Sequence, residues 1–259
     1  VKPRQQEGSS VPAPRRGATA VVSLTVVVPA YNEERRLRPG IDAICRYLRR
    51  CGERNWELIV VDDGSTDRTA AVAAEAAAAE PRIRVLRAPV NRGKGHAVRI
   101  GVRASRGRRV LFCDADSATP IEELALLARR LDEGYAVAIG SRAGPAARIE
   151  VRQHVLRELL GKAGNRLIQA LAVPGIRDTQ CGFKLFDGDK AREVFARART
   201  DGWGFDVEIL RAFRSRGWPI AEVPVRWSHQ PGSKVGPLDY AKVLGEVLRV
   251  RLRPTRDGQ

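Results

Sequence analysis

The sequence predicts an α/β chain: a mostly parallel sheet flanked by helices, with amphipathic helices at the C-terminal end. Two observations carry this. From Val21 to Gly140, short β-branched runs alternate with helical patterns, as in a sheet built from strand–helix–strand crossovers. The composition, 43% hydrophobic and 29% charged over 259 residues, is that of a globular chain long enough to bury a sizeable core.

The elements follow in order. Residues 1–20 hold Pro, Gly, Ser, Gln and Arg without periodicity and read as a disordered basic tail. Strands are expected at Leu24–Val28, Glu57–Val61, Ile83–Arg87, Arg109–Cys113 and Ala136–Gly140. Helices are expected between them, at Glu34–Arg50, Thr66–Glu80, Gly95–Ser105 and Pro120–Leu131. The alanine-rich segment Ala70–Ala79 lies within the second of these and is a strong helix former. Thr119, Pro120 and Glu122 predict an N-cap, a first helical position and a capping partner. Past Gly140 the alternation stops. A long helical pattern spans Arg148–Leu171, a shorter one Asp206–Arg216, a strand Ile220–Arg226 and a final helix Asp239–Leu252. Residues 21–253 thus form a single domain, 21–140 and 141–253 being its halves, with 254–259 a short tail.

The formal net charge is +16, so an anionic partner is expected: a polyanion, a phosphorylated ligand or a membrane face. Aromatic residues make up 5% of the chain, which leaves few stacking platforms for nucleic acid, and no nucleic-acid-binding motif is present. Cys45, Cys51, Cys113 and Cys181 form no CxxC pair. With no visible signal peptide, they read as reduced thiols of a cytoplasmic protein. No apolar run approaches the length of a membrane-spanning helix.

Ligands of open α/β sheets bind beyond the carboxyl ends of the strands. Three of the expected strands end there in carboxylates: Tyr31-Asn32-Glu33, Asp62-Asp63-Gly64-Ser65-Thr66-Asp67 and Asp114-Ala115-Asp116. Adjacent carboxylates suit hydroxyl or imide donors such as a ribose or a uracil N–H. An Asp-x-Asp turn suits Mg²⁺ or Mn²⁺ bridging to phosphates. Each could equally cap the next helix. Asn91-Arg92-Gly93-Lys94-Gly95 is a basic glycine-rich turn before a helix. It suits an anion or is a solvated turn.

With Pro29-Ala30 ahead of Tyr31, these clusters resemble the signature of the family 2 glycosyltransferases, whose fold is GT-A, a Rossmann-like sheet. The resemblance covers about Val22 to Arg253. Asn91–Gly95, Asp114–Thr119, Gly140-Ser141-Arg142, Asp178–Lys184 and Trp203–Glu208 resemble the dolichyl-phosphate β-glucosyltransferase branch of polyprenyl-phosphate glycosyltransferases. The resemblance implies a nucleotide-sugar donor, UDP-glucose favoured, and a hexose moved with inversion to a polyprenyl or dolichyl phosphate. It implies that Asp116, with Asp114, holds Mg²⁺ or Mn²⁺ on the donor pyrophosphate. Asp62 and Asp63 would contact the nucleoside, and Pro29, Tyr31 and Glu33 would line its pocket. Lys94, Arg226, His229 and Lys234 would face phosphates, the last three from a loop that closes on the donor. Mannose-transferring relatives carry a glutamine two residues past Asp-x-Asp; here that position is Ala118, as in the glucosyl branch.

A phosphomonoester acceptor is already ionised near neutrality and needs no base. A soluble hydroxyl acceptor needs one, and Asp206 sits where relatives with such acceptors place it. That is the alternative reading. Leu156, Leu159, Leu160, Ala163, Leu167, Ile168 and Leu171 form one apolar stripe flanked by Arg148, Lys162 and Arg166. Val243, Leu244, Val247 and Leu248 form another with Arg249, Arg251 and Arg253 nearby. Both suit a core face or a bilayer interface, so peripheral contact with the inner membrane face is expected.

Overall fold

The computed structural model describes residues 21–143, 147–151, 173–230 and 237–252. The chain runs β1 (Leu24–Ala30), α1 (Leu37–Arg50), β2 (Trp56–Asp62), α2 (Thr69–Ala79), β3 (Ile83–Arg87), α3 (Lys94–Ala104) and β4 (Arg109–Cys113). A 3₁₀ turn (Ile121–Glu123) then leads into α4 (Leu124–Asp132), followed by β5 (Val137–Ser141) and β6 (Arg148–Val151). The remainder is β7 (Phe183–Asp187), α5 (Gly188–Arg197), α6 (Phe205–Ser215), β8 (Ile220–Pro224), β9 (Arg226–Ser228) and α7 (Pro237–Leu252).

Seven strands form one sheet in the order β3-β2-β1-β4-β7-β5-β8, and β6 pairs with β9 in a separate two-stranded sheet. All neighbours in the large sheet are parallel except β7, which runs antiparallel to both β4 and β5. The strand period of two splits the core cleanly. Val26, Val28, Leu58, Val60 and Leu111 pack against α1, α2 and α4 on one face. Val27, Ile59, Val61, Val110 and Phe112 pack against α3, α5, α6 and α7 on the other.

The predicted β1 to β5 and their three first helices form as expected within a few residues. Four differences have physical causes. Leu24–Val28 extends through Ala30 because β1 and β2 stay in register to the pair Ala30–Asp62. The Thr119–Pro120 helix start is replaced by the 3₁₀ turn, which carries no side-chain cap, and α4 begins only at Leu124. Arg148–Val151, expected to open a long helix, is instead strand β6, recruited by backbone pairing to β9; residues 152–171 of that pattern, with the Leu156–Leu171 stripe, lie outside the described residues. Ile220–Arg226 divides at Val225 into β8 and β9, which belong to different sheets. The strand β7 and helix α5 have no counterpart among the expected elements.

Candidate active site

The carboxyl edges of β1, β2 and β4 meet as the pattern requires, and each cluster then takes a different job. Beyond β1, Asn32 has a positive φ of 51°, a conformation asparagine tolerates. Its N–H donates to Ser65 Oγ (2.9 Å) and its Oδ1 accepts from Thr66 N–H (2.9 Å), tying this turn to the one after β2. The Glu33 carboxylate is gripped by Arg36, with Nε at 2.7 Å and Nη2 at 2.6 Å. Tyr31 stands at the rim, 37% exposed, with Pro29 half-buried behind it.

Beyond β2, Asp62 is fully buried. Its Oδ1 accepts from Ser65 N–H at 3.0 Å; its Oδ2 lies 3.2 Å from Arg87 Nε, without the alignment of a hydrogen bond. Asp63 is buried too, and it accepts from Gly93 N–H (2.7 Å) and Arg92 N–H (3.2 Å), beside His96 Nδ1 (3.4 Å). The glycine-rich turn before α3 therefore does hold an anion on its free N–H groups, and that anion is the chain's own Asp63.

Lys94, in the same turn, points inward instead. Its Nζ lies 2.7 Å from Asp114 Oδ1, over the rings of Trp203 (4.9 Å) and Phe112 (5.3 Å). Burial works against its charge, but Asp114 and Asp206 outweigh it and raise its pKa. Asp116 follows at a tight turn where Ser117 has φ 54° and Ala118 N–H donates to Asp116 Oδ1 at 3.1 Å. Burial, reinforced by the neighbouring Asp114 charge, lifts the Asp116 carboxyl above its ordinary range. The Asp116 carboxylate, with the Asp114 carboxylate on the same turn, fits a hard divalent cation. Among the described residues no cluster of three His, Cys, Asp or Glu is arranged to hold a metal.

Asp206 opens α6 and lies beneath this pair. It is 3% exposed, and Lys184 Nζ reaches it at 2.6 Å while also donating to the Cys181 carbonyl at 2.5 Å. Burial lifts the Asp206 carboxyl above its ordinary range even with Lys184 beside it. Lys184 sits mid-strand on β7, opposite Phe112 and Ile139, so the charge pair is enclosed by the sheet.

A second network pins the loop leading to β7. Arg142 grips Asp178 through Nε (2.7 Å) and Nη2 (2.8 Å), and Glu222 accepts from Asp178 N–H at 2.8 Å. Although burial opposes it, the Arg142 charge holds Asp178 below the usual carboxylate range. The loop ends at Gly182, whose carbonyl accepts from Asp114 N–H at 3.0 Å. A Cβ on Gly182 would lie 1.9 Å from Asp114 Oδ2, so only glycine leaves room for that carboxylate.

Arg226 lies on β9, which crosses the Asp-x-Asp turn through a hydrogen bond from Ser228 N–H to the Ala118 carbonyl (2.9 Å). Its Nε is 2.6 Å from Glu123 Oε1. His229 is half-buried, its ring 6.1 Å from that of Trp227. Lys234 lies outside the described residues. Sequence reasoning assigned no role to Gly182, Lys184, Arg142 or Asp178. A signal existed for Lys184: a lysine inside the apolar run Phe183–Phe186 needs a buried acid.

The apolar stripe of α7 also resolves. Val247 and Val250 are buried against the core and Val243 packs beside them, so this part of the stripe is a core face and not a lipid face. Leu248 and Leu252 point outward, with Arg249 and Arg251 exposed beside them.

Known proteins resemble this chain in fold or in sequence. Solved complexes of the Mycobacterium tuberculosis glucosyl-3-phosphoglycerate synthase superpose with TM-scores of 0.65 (with UDP) and 0.66 (with Mn²⁺, UDP-glucose and glycerol 3-phosphate). Each is 24% identical and covers 91% of this chain and 82% of that one, a likeness of fold. A dolichyl-phosphate beta-glucosyltransferase of Trichomonas vaginalis is 39% identical over 261 residues, 97% of this chain and 77% of that protein. The Homo sapiens dolichyl-phosphate beta-glucosyltransferase is 39% identical over 243 residues, 89% of this chain and 75% of that protein. The Saccharomyces cerevisiae protein of that name is 33% identical over 250 residues, with 89% and 75% covered. The family model for glycosyl transferase family 2 matches residues 25–195, from the first strand past the acidic turn and into α5. With the family model over more than half of the chain and relatives 33–39% identical over most of it, this chain belongs to glycosyltransferase family 2.

Proposed function

We propose that the chain is an inverting, metal-dependent transferase that moves glucose from UDP-glucose to a polyprenyl or dolichyl phosphate at the cytoplasmic membrane face. Its relatives' names support the sugar and the acceptor class. The Mn²⁺ and UDP-glucose in complexes of a protein of like fold support the donor and the cation.

The observation that carries the acceptor is the state of Asp206. It is buried and ion-paired to Lys184, a poor base for a hydroxyl. A phosphate acceptor requires none: a phosphate oxygen bonds to the sugar C1 as the C1–O bond to UDP breaks, and UDP leaves with the electron pair. No proton moves. A divalent cation held by Asp114 and Asp116 would neutralise charge on the leaving diphosphate. Lys94 fixes Asp114 and adds positive charge beside it. Asp62 and Asp63 order the floor of the nucleoside side, with Tyr31 at its rim. Arg226 and His229, on and just after β9 beside the Asp-x-Asp turn, would face the donor phosphates.

The outward Leu248 and Leu252, with Arg249 and Arg251, suit peripheral contact with an anionic bilayer. No helix among the described residues is long and apolar enough to cross a membrane.

The test is transfer from radiolabelled UDP-glucose with Mn²⁺ or Mg²⁺, with polyprenyl phosphate presented in anionic vesicles. The expected product partitions into organic solvent, is labile to mild acid, and forms more slowly as salt rises. Label appearing only on water-soluble acceptors would sink the lipid reading. In the same assay Gly182→Ala is expected to cut turnover about 100-fold by displacing Asp114, with the fold retained by circular dichroism. Turnover within a few-fold of the parent would show that Asp114 does not need its present seat.

A further inference from the structure

We infer that Glu246, on the C-terminal helix, is a positioning residue for the site, acting through the 200–204 turn. This turn lies between α5 and α6 and carries Trp203, whose ring covers Lys94. It is squeezed from both sides at glycines. On the site side, a Cβ on Gly93 would meet the Asp201 carbonyl oxygen at 2.5 Å, and one on Gly95 would meet the Thr200 carbonyl oxygen at 2.5 Å. On the far side, a Cβ on Gly202 would lie 2.0 Å from Glu246 Oε1, and one on Gly204 2.9 Å from Glu246 Oε2. The carboxylate fills the space those two glycines leave open.

It is also bonded there. Gly204 N–H donates to Glu246 Oε2 at 2.7 Å. Gly204 is the residue before α6, so the carboxylate meets an orphan N–H and the positive end of the helix together. Asp206 and Phe205 begin that helix, and Phe205 packs edge-on to Phe112 at 5.8 Å. One acid on α7 therefore backs the turn that places Trp203 over Lys94 and starts the helix that bears Asp206. Glu246 touches none of the groups assigned to substrate. Its effect passes through the backbone of Gly202 and Gly204.

The kinetic part of the test rests on the UDP-glucose reading; the spectroscopic part does not. In the ligand-free protein, the emission of Trp203, taken as the difference from Trp203→Phe in each background, is expected to shift and become more quenchable in Glu246→Ala. In Glu246→Gln, whose amide oxygen still accepts from Gly204 N–H, it is expected to stay as in the parent. In transfer assays Glu246→Ala is expected to lose about 10- to 100-fold in kcat/KM, and Glu246→Gln less than about 3-fold. Gly202→Ala is expected to imitate Glu246→Ala, and the double variant to be no worse than either single, because removing the carboxylate makes room for the new methyl. An unshifted Trp203 spectrum in Glu246→Ala would overturn the inference. So would equal defects in the Ala and Gln variants, or losses that simply add in the double variant. A shifted spectrum with no transfer from UDP-glucose by the parent would count against the donor reading and leave Glu246 in its role.

Discussion

Asp116→Asn is expected to abolish transfer, by about 10³-fold or more, while leaving the fold intact or slightly more stable. Asp116 and Asp114 lie on one tight turn beyond β4, and burial together with Asp114 lifts the Asp116 carboxyl above its ordinary range. The protein therefore holds a negative charge where its own interior disfavours one. Lys94 and Arg36 favour that charge without outweighing burial and Asp114, and the bond from Ala118 N–H to Oδ1 survives in an amide. The charge serves a cation, and an amide binds one weakly. Two measurements separate function from fold. Mn²⁺-dependent binding of UDP, followed by calorimetry, should disappear, and the thermal midpoint should hold or rise. Parental turnover in this variant would remove the metal assignment. A collapse in stability would mean the carboxylate is structural.

The largest effect on stability is expected at Lys184. Replacing it by methionine leaves Asp206 enclosed by the sheet without its nearest counter-charge, and breaking a buried pair from one side costs about 3–5 kcal/mol. The effect should depend on pH in a defined direction. Burial already lifts the Asp206 carboxyl above its unfolded range with Lys184 present, and loss of that ammonium lifts it further. A group raised in this way stabilises the fold fully below its unfolded pKa, and that contribution is lost as pH rises through its folded pKa. Lys184→Met should thus be least handicapped near pH 5 and most handicapped near pH 8, read as the guanidinium midpoint relative to the parent. Adding Asp206→Leu should recover much of the loss, since an apolar pair of similar size replaces a buried ion pair at little cost. A deficit that is flat with pH, or a double variant worse than the single, would show that Asp206 is not left charged and alone.

Much of this molecule is legible one-dimensionally. The first half is a run of local patterns, each strand and helix signalled by its own period, and parallel crossovers leave the acidic clusters on one edge without further information. Asp114 and Asp116 were readable because a motif and its place at a strand end reinforce each other. What was not readable depends on distant partners. The strand β7 has a lysine in its centre, and it enters the sheet only because β4, β5 and Asp206 surround it. Asp62 and Asp63 look alike in sequence, yet one caps its own turn and the other caps α3, because β3 brings the Asn91–Gly95 turn alongside.

The sequence alone determined the fold class, the family resemblance and the acidic edge, because these rest on short-range periodicity and on contiguous motifs. The tertiary structure decided which charges are free to act. Lys94 turns from an apparent surface cradle into the partner of Asp114, and Asp206 from a candidate base into half of a buried pair. Val247, on a stripe that suited either the core or a bilayer, belongs to the core, and Gly182 and Gly202 become spaces shaped for Asp114 and Glu246. Each of these outcomes depends on desolvation and on who sits opposite, quantities that exist only once distant segments have met.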